Sequence, residues 1–442
     1  MSGGFSGNVT VHAIPSGKLI KTIPVFSVFP ENGYGYDEET KNMLMTSNGF
    51  MPWDDSHHPE FSMTNGIADG KWLFINGNNT PRIARINLET FETDEIIEIP
   101  NCSGNHASPF STENTEYLMS ATRFSVPIPQ SDIPVESALD GKFKGTINMI
   151  KVEKNGRMNL DLQVLVPGYN YDIAHCGKNK SKNWCFFTSY NVEQAYKMLE
   201  IEASKFDKDY ILAFNWKKAK KCADNNLAKD FKGVHYNNYK EESLPAISIK
   251  KNKVKMLHPK DCNGVMYYLP TPKSPHGVDV DPTGEYIVAG GKLAALIPVH
   301  SFTKFKSAIK NKDNIIKIDN GIPVLSYEST IAGEVLEPCL GPLHTEFDDK
   351  GYGYTSCFIT SDVVKWQLKT WNVIEKVPSY YSIGHLSIAG GDSKKPISKY
   401  LITLNKITND RFLPVGPEMS HSAQLYDISG NKMKLLLDFP TM

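Results

Sequence analysis

Six of the twelve histidines in this 442-residue chain share a setting that suits metal chemistry. His57 and His58 are adjacent in Asp54-Asp55-Ser56-His57-His58-Pro59. His106 follows Gly104-Asn105, His276 follows Ser274-Pro275, His344 follows Gly341-Pro342-Leu343, and His385 follows Ile383-Gly384. Each of the last four comes shortly after Gly or Pro and just before a predicted strand. One histidine in such a place is ordinarily a turn residue or a satisfied core residue. Six at equivalent strand entries point to ligands converging from separate sheets. Imidazole donors without paired thiols suit copper, zinc, iron or nickel and not calcium or magnesium. Six ligands exceed a tetrahedral zinc site, so more than one metal ion is implied. His12, His175, His235, His258 and His300 lack this context and read as surface or strand residues.

Convergence of that kind needs an architecture that brings many strand starts to one axis. Short runs rich in Val, Ile, Tyr and Phe recur between Gly, Asn, Asp and Pro, as strands do. Lys71–Asn76, Arg82–Asn87 and Glu95–Ile99 form one group. Glu285–Ala289 and Leu293–Val299 form another, Gly353–Phe358, Val363–Leu368 and Val373–Val377 a third, and Lys399–Leu404, Gln424–Ile428 and Lys432–Leu437 a fourth. Roughly seven such groups at a period of about 45–60 residues predict propeller blades, each burying its faces only against its neighbours. The expected fold is all-β: a seven-bladed β-propeller over residues 1–442 with short helical insertions, its inner strands starting at the mouth of a central channel. Helices are expected only over Val192–Lys205 and Asn215–Lys229, and the Lys-rich stretch Lys217–Lys260 reads as a polar, loop-like surface insertion.

Composition removes several function classes. With 48 basic and 49 acidic residues, the chain lacks the positive surface that nucleic acid requires. No run approaches the roughly 20 apolar residues that span a bilayer, so it is not transmembrane. Met1–Ser6 has neither the basic nor the apolar part of a secretion signal. The seven cysteines are odd in number and irregularly spaced. They do not read as a disulfide framework and are taken as small buried residues.

Longer motifs resemble nitrous-oxide reductase. They are Gly341-Pro342-Leu343-His344-Thr345-Glu346-Phe347-Asp348, Phe358-Ile359-Thr360-Ser361-Asp362-Val363-Val364-Lys365-Trp366, the His57-His58 pair, Ser274-Pro275-His276-Gly277 with Ala289-Gly290-Gly291-Lys292, Gly384-His385-Leu386, and Asp410-Arg411-Phe412-Leu413-Pro414-Val415-Gly416-Pro417. The resemblance covers nearly the whole chain. It implies a seven-bladed propeller whose hub holds a sulfide-bridged four-copper cluster, followed by a cupredoxin domain with a dinuclear copper electron-entry site. The cluster's seven histidines include matches to His57, His58, His106, His276, His344 and His385. The seventh is expected beyond Met442, as is the cupredoxin domain, so the chain looks cut short. The implied reaction reduces N2O to N2 and water, the final step of denitrification, in the periplasm. The implied partners are nitrous oxide, an electron donor such as a c-type cytochrome, and a second copy in a head-to-tail homodimer.

The resemblance also assigns roles around the hub. Lys365 is expected to return toward the cluster, 21 residues after His344, and to polarise bound N2O or supply a proton. Asp172 matches an acid that orients a copper-binding imidazole. Tyr190, Glu193 and Asp209 match one calcium site, and Lys406 matches a backbone-carbonyl ligand of a second, where His421 replaces a carboxylate. The alternatives are a non-catalytic propeller serving as a binding platform, which would lack converging histidines, and another propeller metalloenzyme, whose hub would be rich in carboxylates.

Overall fold

The computed structural model describes residues 1–128, 142–189, 208–235, 247–406 and 421–441. Six sheets, each with at least four antiparallel strands, follow one another along the chain. Blade one is Glu60–Thr64, Ile67–Asn76, Arg82–Asn87 and Glu92–Glu98. Blade two is built on Ala107–Ser111, Tyr117–Ala121, Phe143–Val152 and Met158–Pro167, and blade three on Tyr171–Cys176, Cys185–Ser189, Tyr210–Phe214 and Met266–Pro270. Blade four is Pro275–Val280, Tyr286–Gly291, Leu296–Ser301 and Ile331–Leu336. Blade five is Pro342–Phe347, Tyr352–Cys357, Asp362–Gln367 and Val373–Pro378, and blade six is Ile383–Ile388, Tyr400–Asn405, Ser422–Asp427 and Lys434–Pro440. The first strands of successive blades lie side by side, which makes them the inner ring of a propeller.

The sequence dictates both the turns and the stacking. In blades four and five an aspartate closes the first turn: Asp281 accepts the Glu285 and Tyr286 N–H groups, and Asp348 accepts those of Lys350 and Tyr352. Gly284 and Gly351 occupy the left-handed positions these turns need, at φ 71° and 86°. Apolar residues then meet between blades. Val288, Ile297, Val299 and Val335 of blade four pack on Phe347, Val364 and Trp366 of blade five. Tyr354 and Val363 of blade five pack on Ile383, Leu401 and Tyr426 of blade six.

Three expectations need correction. Among the described residues there are six sheets of blade size, not seven. A blade needs four strands, and the N-terminal segment supplies only the hairpin Asn8–His12 with Leu19–Pro24. Val9 and Ile23 of that hairpin, with Val25 and Phe26 just after it, pack on Leu73, Ile75, Ala84 and Ile86 of blade one. It touches blade six through His12 and Phe439, whose rings are 5.5 Å apart. The Lys-rich insertion is more ordered than its polarity suggests. Lys229–His235 and Ile247–Leu257 extend the edge of blade two, and the helix Trp216–Asp224 is capped by Asn215. The helix expected over Val192–Lys205 lies outside the described residues. Finally, six cysteines are paired, as Cys176–Cys185, Cys222–Cys262 and Cys339–Cys357, with Cys102 free and buried. Cys176 and Cys185 are cross-strand neighbours, a proximity that sequence spacing does not reveal.

Candidate metal centre

The inner strands carry irregularities where the candidate ligands sit. The pairing register shifts between Pro275 and Val278, between Pro342 and Thr345, between Ile383 and His385, and between Tyr171 and Ala174. Such bulges re-aim a side chain that regular pleating would direct into a blade. The affected residues are His276, His344, His385 and Asp172. His57 and His58 precede the first strand of blade one and are fixed by Asn76, whose carbonyl accepts the His57 N–H at 3.2 Å and whose side chain accepts the His58 N–H at 2.7 Å.

The six histidines form one continuous group. Ring centroids are 4.4 Å apart for His57 and His58, 4.7 Å for His58 and His106, 5.6 Å for His106 and His276, 4.9 Å for His276 and His344, 4.8 Å for His344 and His385, and 5.1 Å for His385 and His58. One ring nitrogen in each of four members is tied to the protein. His58 Nδ1 lies 3.0 Å from the His106 carbonyl, and His57 Nδ1 lies 3.6 Å from Asp55. Asp172 contacts Nδ1 of His106 with one carboxylate oxygen and Nδ1 of His276 with the other, while Lys292 Nζ donates to it at 3.0 Å. These contacts leave Nε2 for the cavity. The Nε2 atoms of His57, His276 and His344 are buried without a hydrogen-bond partner, and those of His58 and His385 face each other at 3.2 Å.

Charge follows from burial. Desolvation drives all six imidazoles below their ordinary value, His344 to about 3. Neutral imidazole is the ligating form. Burial works to raise Asp172, but His276, Lys292 and His106 outweigh it and hold the carboxyl well below its usual range.

Lys406 is the lysine of this centre. It directly follows the second strand of blade six, and its charge is felt by His57, His344 and His385. Burial pushes it down to about 8, against the opposing pull of Asp172. A Cβ on Gly384 would strike its side chain, so the glycine before His385 makes room for it. Lys365, the expected hub lysine, is elsewhere. It lies on the third strand of blade five, over the rings of Tyr352 and Tyr354, and donates to the Asn431 carbonyl at 3.2 Å. A third strand is two strands removed from the channel, so it cannot bring Lys365 to the histidines. Asp209 accepts the Ser274 N–H at 3.0 Å, just before the strand that carries His276. Tyr190 and Glu193 lie outside the described residues, and His421 is exposed. Asp55 and the hub position of Lys406 were missed from sequence. Asp55 stands two residues before His57, a signal that spacing could have supplied.

Buried, unpartnered Nε2 atoms in an all-imidazole set fit copper ligation well. Fold and site together define a β-propeller whose hub gathers six histidines. Residues 376–442 match the nitrous oxide reductase propeller repeat. The chain is 31% identical to nitrous-oxide reductase of Stutzerimonas stutzeri, covering 100% of this chain and 65% of that protein. It is 30% identical to the Pseudomonas fluorescens enzyme, covering 99% and 65% respectively. It is thus similar to these nitrous-oxide reductases along its whole length, and it spans 65% of the length of these two curated relatives.

Proposed function

We propose that the histidine hub holds the copper cluster of a nitrous-oxide reductase and that this chain is the propeller part of that enzyme. The observation that carries this reading is the convergence of six imidazoles, with the Nε2 atoms of His57, His276 and His344 buried without partners and with His57, His106 and His276 held from behind by Asp55 and Asp172. His57, His58, His106, His276, His344 and His385 would hold the cluster. When bound, a four-copper sulfide cluster supplies joint coordination of N2O and the two electrons of N2O + 2 e⁻ + 2 H⁺ → N2 + H2O.

The chain's own residues do the rest. Asp172 fixes the tautomer of two imidazoles from neighbouring blades, so that each presents Nε2. The blade walls exclude water. Lys406 Nζ holds a proton beside His344 and His385, and a value near 8 suits an acid that must release it near neutral pH. This gives Lys406 the role expected of Lys365.

The finer parts of the reading go with it. Asp209, with Tyr190 and Glu193, and the Lys406 carbonyl are calcium ligands. Three disulfides suit an oxidising compartment such as the periplasm. The enzyme takes electrons from a donor such as a c-type cytochrome, works as a head-to-tail homodimer, and performs the last step of denitrification. The test is N2O turnover by this chain joined to the electron-entry domain of a relative and loaded with copper. His344→Ala should cut turnover at least tenfold, and full turnover in that variant would reject the reading.

A further inference from the structure

A second group of ligating side chains lies deeper in the hub, on the same inner strands. Glu60 follows His58 by two residues, Asp279 follows His276 by three, and Glu346 follows His344 by two. His175 follows Asp172 by three. At the rise of a strand, these steps carry the side chains about 7–10 Å along the axis. Phe110 separates the two groups: its ring is 6.3 Å from His58 and 6.2 Å from His175.

The deeper group has a donor set of its own. One ligand atom each from His175, Asp279 and Asp392 lies within 4.8 Å of the others. Glu346 is buried, and its Oε2 has no hydrogen-bond partner. That oxygen occupies the space where Gly391 would carry a Cβ, which puts it beside the residue preceding Asp392. The Asp392 backbone carbonyl accepts from Lys178 Nζ. Lys178 is the buried cation here, set against Glu60, Glu346, Asp281 and Asp392. Glu60 accepts from Ser111, and Asp281 from the Thr283, Glu285 and Tyr286 N–H groups, so the oxygen left without a partner is Glu346 Oε2, and a buried carboxylate without a partner is costly. Burial, and then the neighbouring charge of Asp392, raise Asp279. Asp392 keeps part of its side chain in solvent, which gives an ion a way in.

We propose that His175, Asp279 and Asp392, with Glu346 as a fourth ligand, bind one divalent transition-metal ion, separately from the six-histidine centre. The imidazole nitrogen among hard carboxylates favours Mn²⁺, Fe²⁺, Co²⁺ or Zn²⁺ over Mg²⁺ or Ca²⁺. The ion would join the inner strands of blades three, four and five to the turn after the first strand of blade six. This inference stands apart from the copper reading, because none of its ligands belongs to the upper ring.

Mn²⁺ is the discriminating probe, since it binds all-imidazole sites weakly and carboxylate–imidazole sites better. The chain is stripped of metal and titrated with Mn²⁺, and the loss of the free-ion electron paramagnetic resonance signal is followed. One Mn²⁺ should bind per chain. His344→Ala should leave that binding unchanged, while Asp279→Asn and Asp392→Asn should each weaken it at least tenfold. Asn at 279 can still accept the Thr345 N–H that Asp279 accepts at 2.7 Å, so that variant should fold. Should either fail to fold, Glu346→Gln replaces it and should weaken binding several-fold. No Mn²⁺ bound by the unaltered chain would overturn the proposal, as would binding lost in His344→Ala or indifferent to all three carboxyl variants.

Discussion

The two ends of the channel use the same inner strands and opposite chemistry. At the mouth, six imidazoles face one another, and the carboxylates, Asp172 and Asp55, stand behind them. Two or three residues further along, the carboxyls of Asp279 and Glu346 face inward themselves, with His175 and one lysine among them. Moving a carboxylate from behind the ligand to the ligand position changes a borderline, neutral nitrogen site into a hard, anionic one. A blade can therefore present two unlike metal sites by alternating residue types along one short strand, provided a bulge lets residues an odd number apart face the same cavity.

Removing Asp172 should have the largest effect, and at the mouth alone. Asp172→Ala leaves two imidazoles and Lys292 without their shared partner. Breaking a buried charge network costs about 3–5 kcal/mol, and losing a carboxylate behind metal-bound histidines costs about 10–100-fold in metal affinity. Urea unfolding and copper analysis should show both losses, with Mn²⁺ binding at the deeper group retained. Matched glycine substitutions probe each end in turn. Gly384→Ala drives a Cβ into Lys406, and Gly391→Ala drives one into the Glu346 carboxyl. Overpacking of this kind costs about 1–3 kcal/mol. Gly384→Ala should disturb copper binding alone, and Gly391→Ala should disturb Mn²⁺ binding alone.

The metal-free protein should also respond to pH with opposite signs at the two ends. His344 is neutral when folded down to about pH 3, whereas the unfolded chain takes up its proton below about 6.5. The unfolded state binds more protons in that window, so stability falls as pH falls, by about 2 kcal/mol between pH 6.5 and 5. Glu60 is raised to about 8 by burial and by Asp392. Its folded form holds a proton that the unfolded form releases above about 4.5, so its contribution is lost as pH rises toward 8. Unfolding midpoints against pH should steepen on the acid side in Glu60→Gln and flatten there in His344→Ala.

The two lysines give the smallest and most selective contrast. Lys406→Met should leave copper content nearly intact and cut N2O turnover about tenfold in the joined enzyme, equal to about 1.4 kcal/mol of barrier. Lys365→Met should change neither turnover nor copper content. Equal losses in both would remove Lys406 from the centre.

That pair also shows where sequence reading stops. Lys365 follows His344 by 21 residues, and Lys406 follows His385 by 21. In blade five those residues cross a tight first turn and reach the third strand. In blade six a longer first connection uses them up, and position 406 falls at the channel end of the second strand. Loop length, which sequence periodicity does not resolve, decides which lysine meets the histidines. The histidines themselves were legible because Gly or Pro before a strand marks an inner-strand entry. His175 was not, because its neighbours Tyr171-Asp172-Ile173-Ala174 carry no such mark and it sits near the far end of its strand. The cysteine pairs were hidden for a similar reason: their separations of 9, 18 and 40 residues become contacts only once the blades form.

The central claim is that the hub histidines ligate copper through Nε2. Its most direct test is copper stoichiometry and copper-edge X-ray absorption on the anaerobically reconstituted chain, compared with a His344→Ala, His385→Ala double variant. The account predicts several coppers per chain in an imidazole-dominated coordination shell, with most of that copper lost in the variant. A copper content unaffected by the double substitution, or a shell without imidazole scattering, would contradict it.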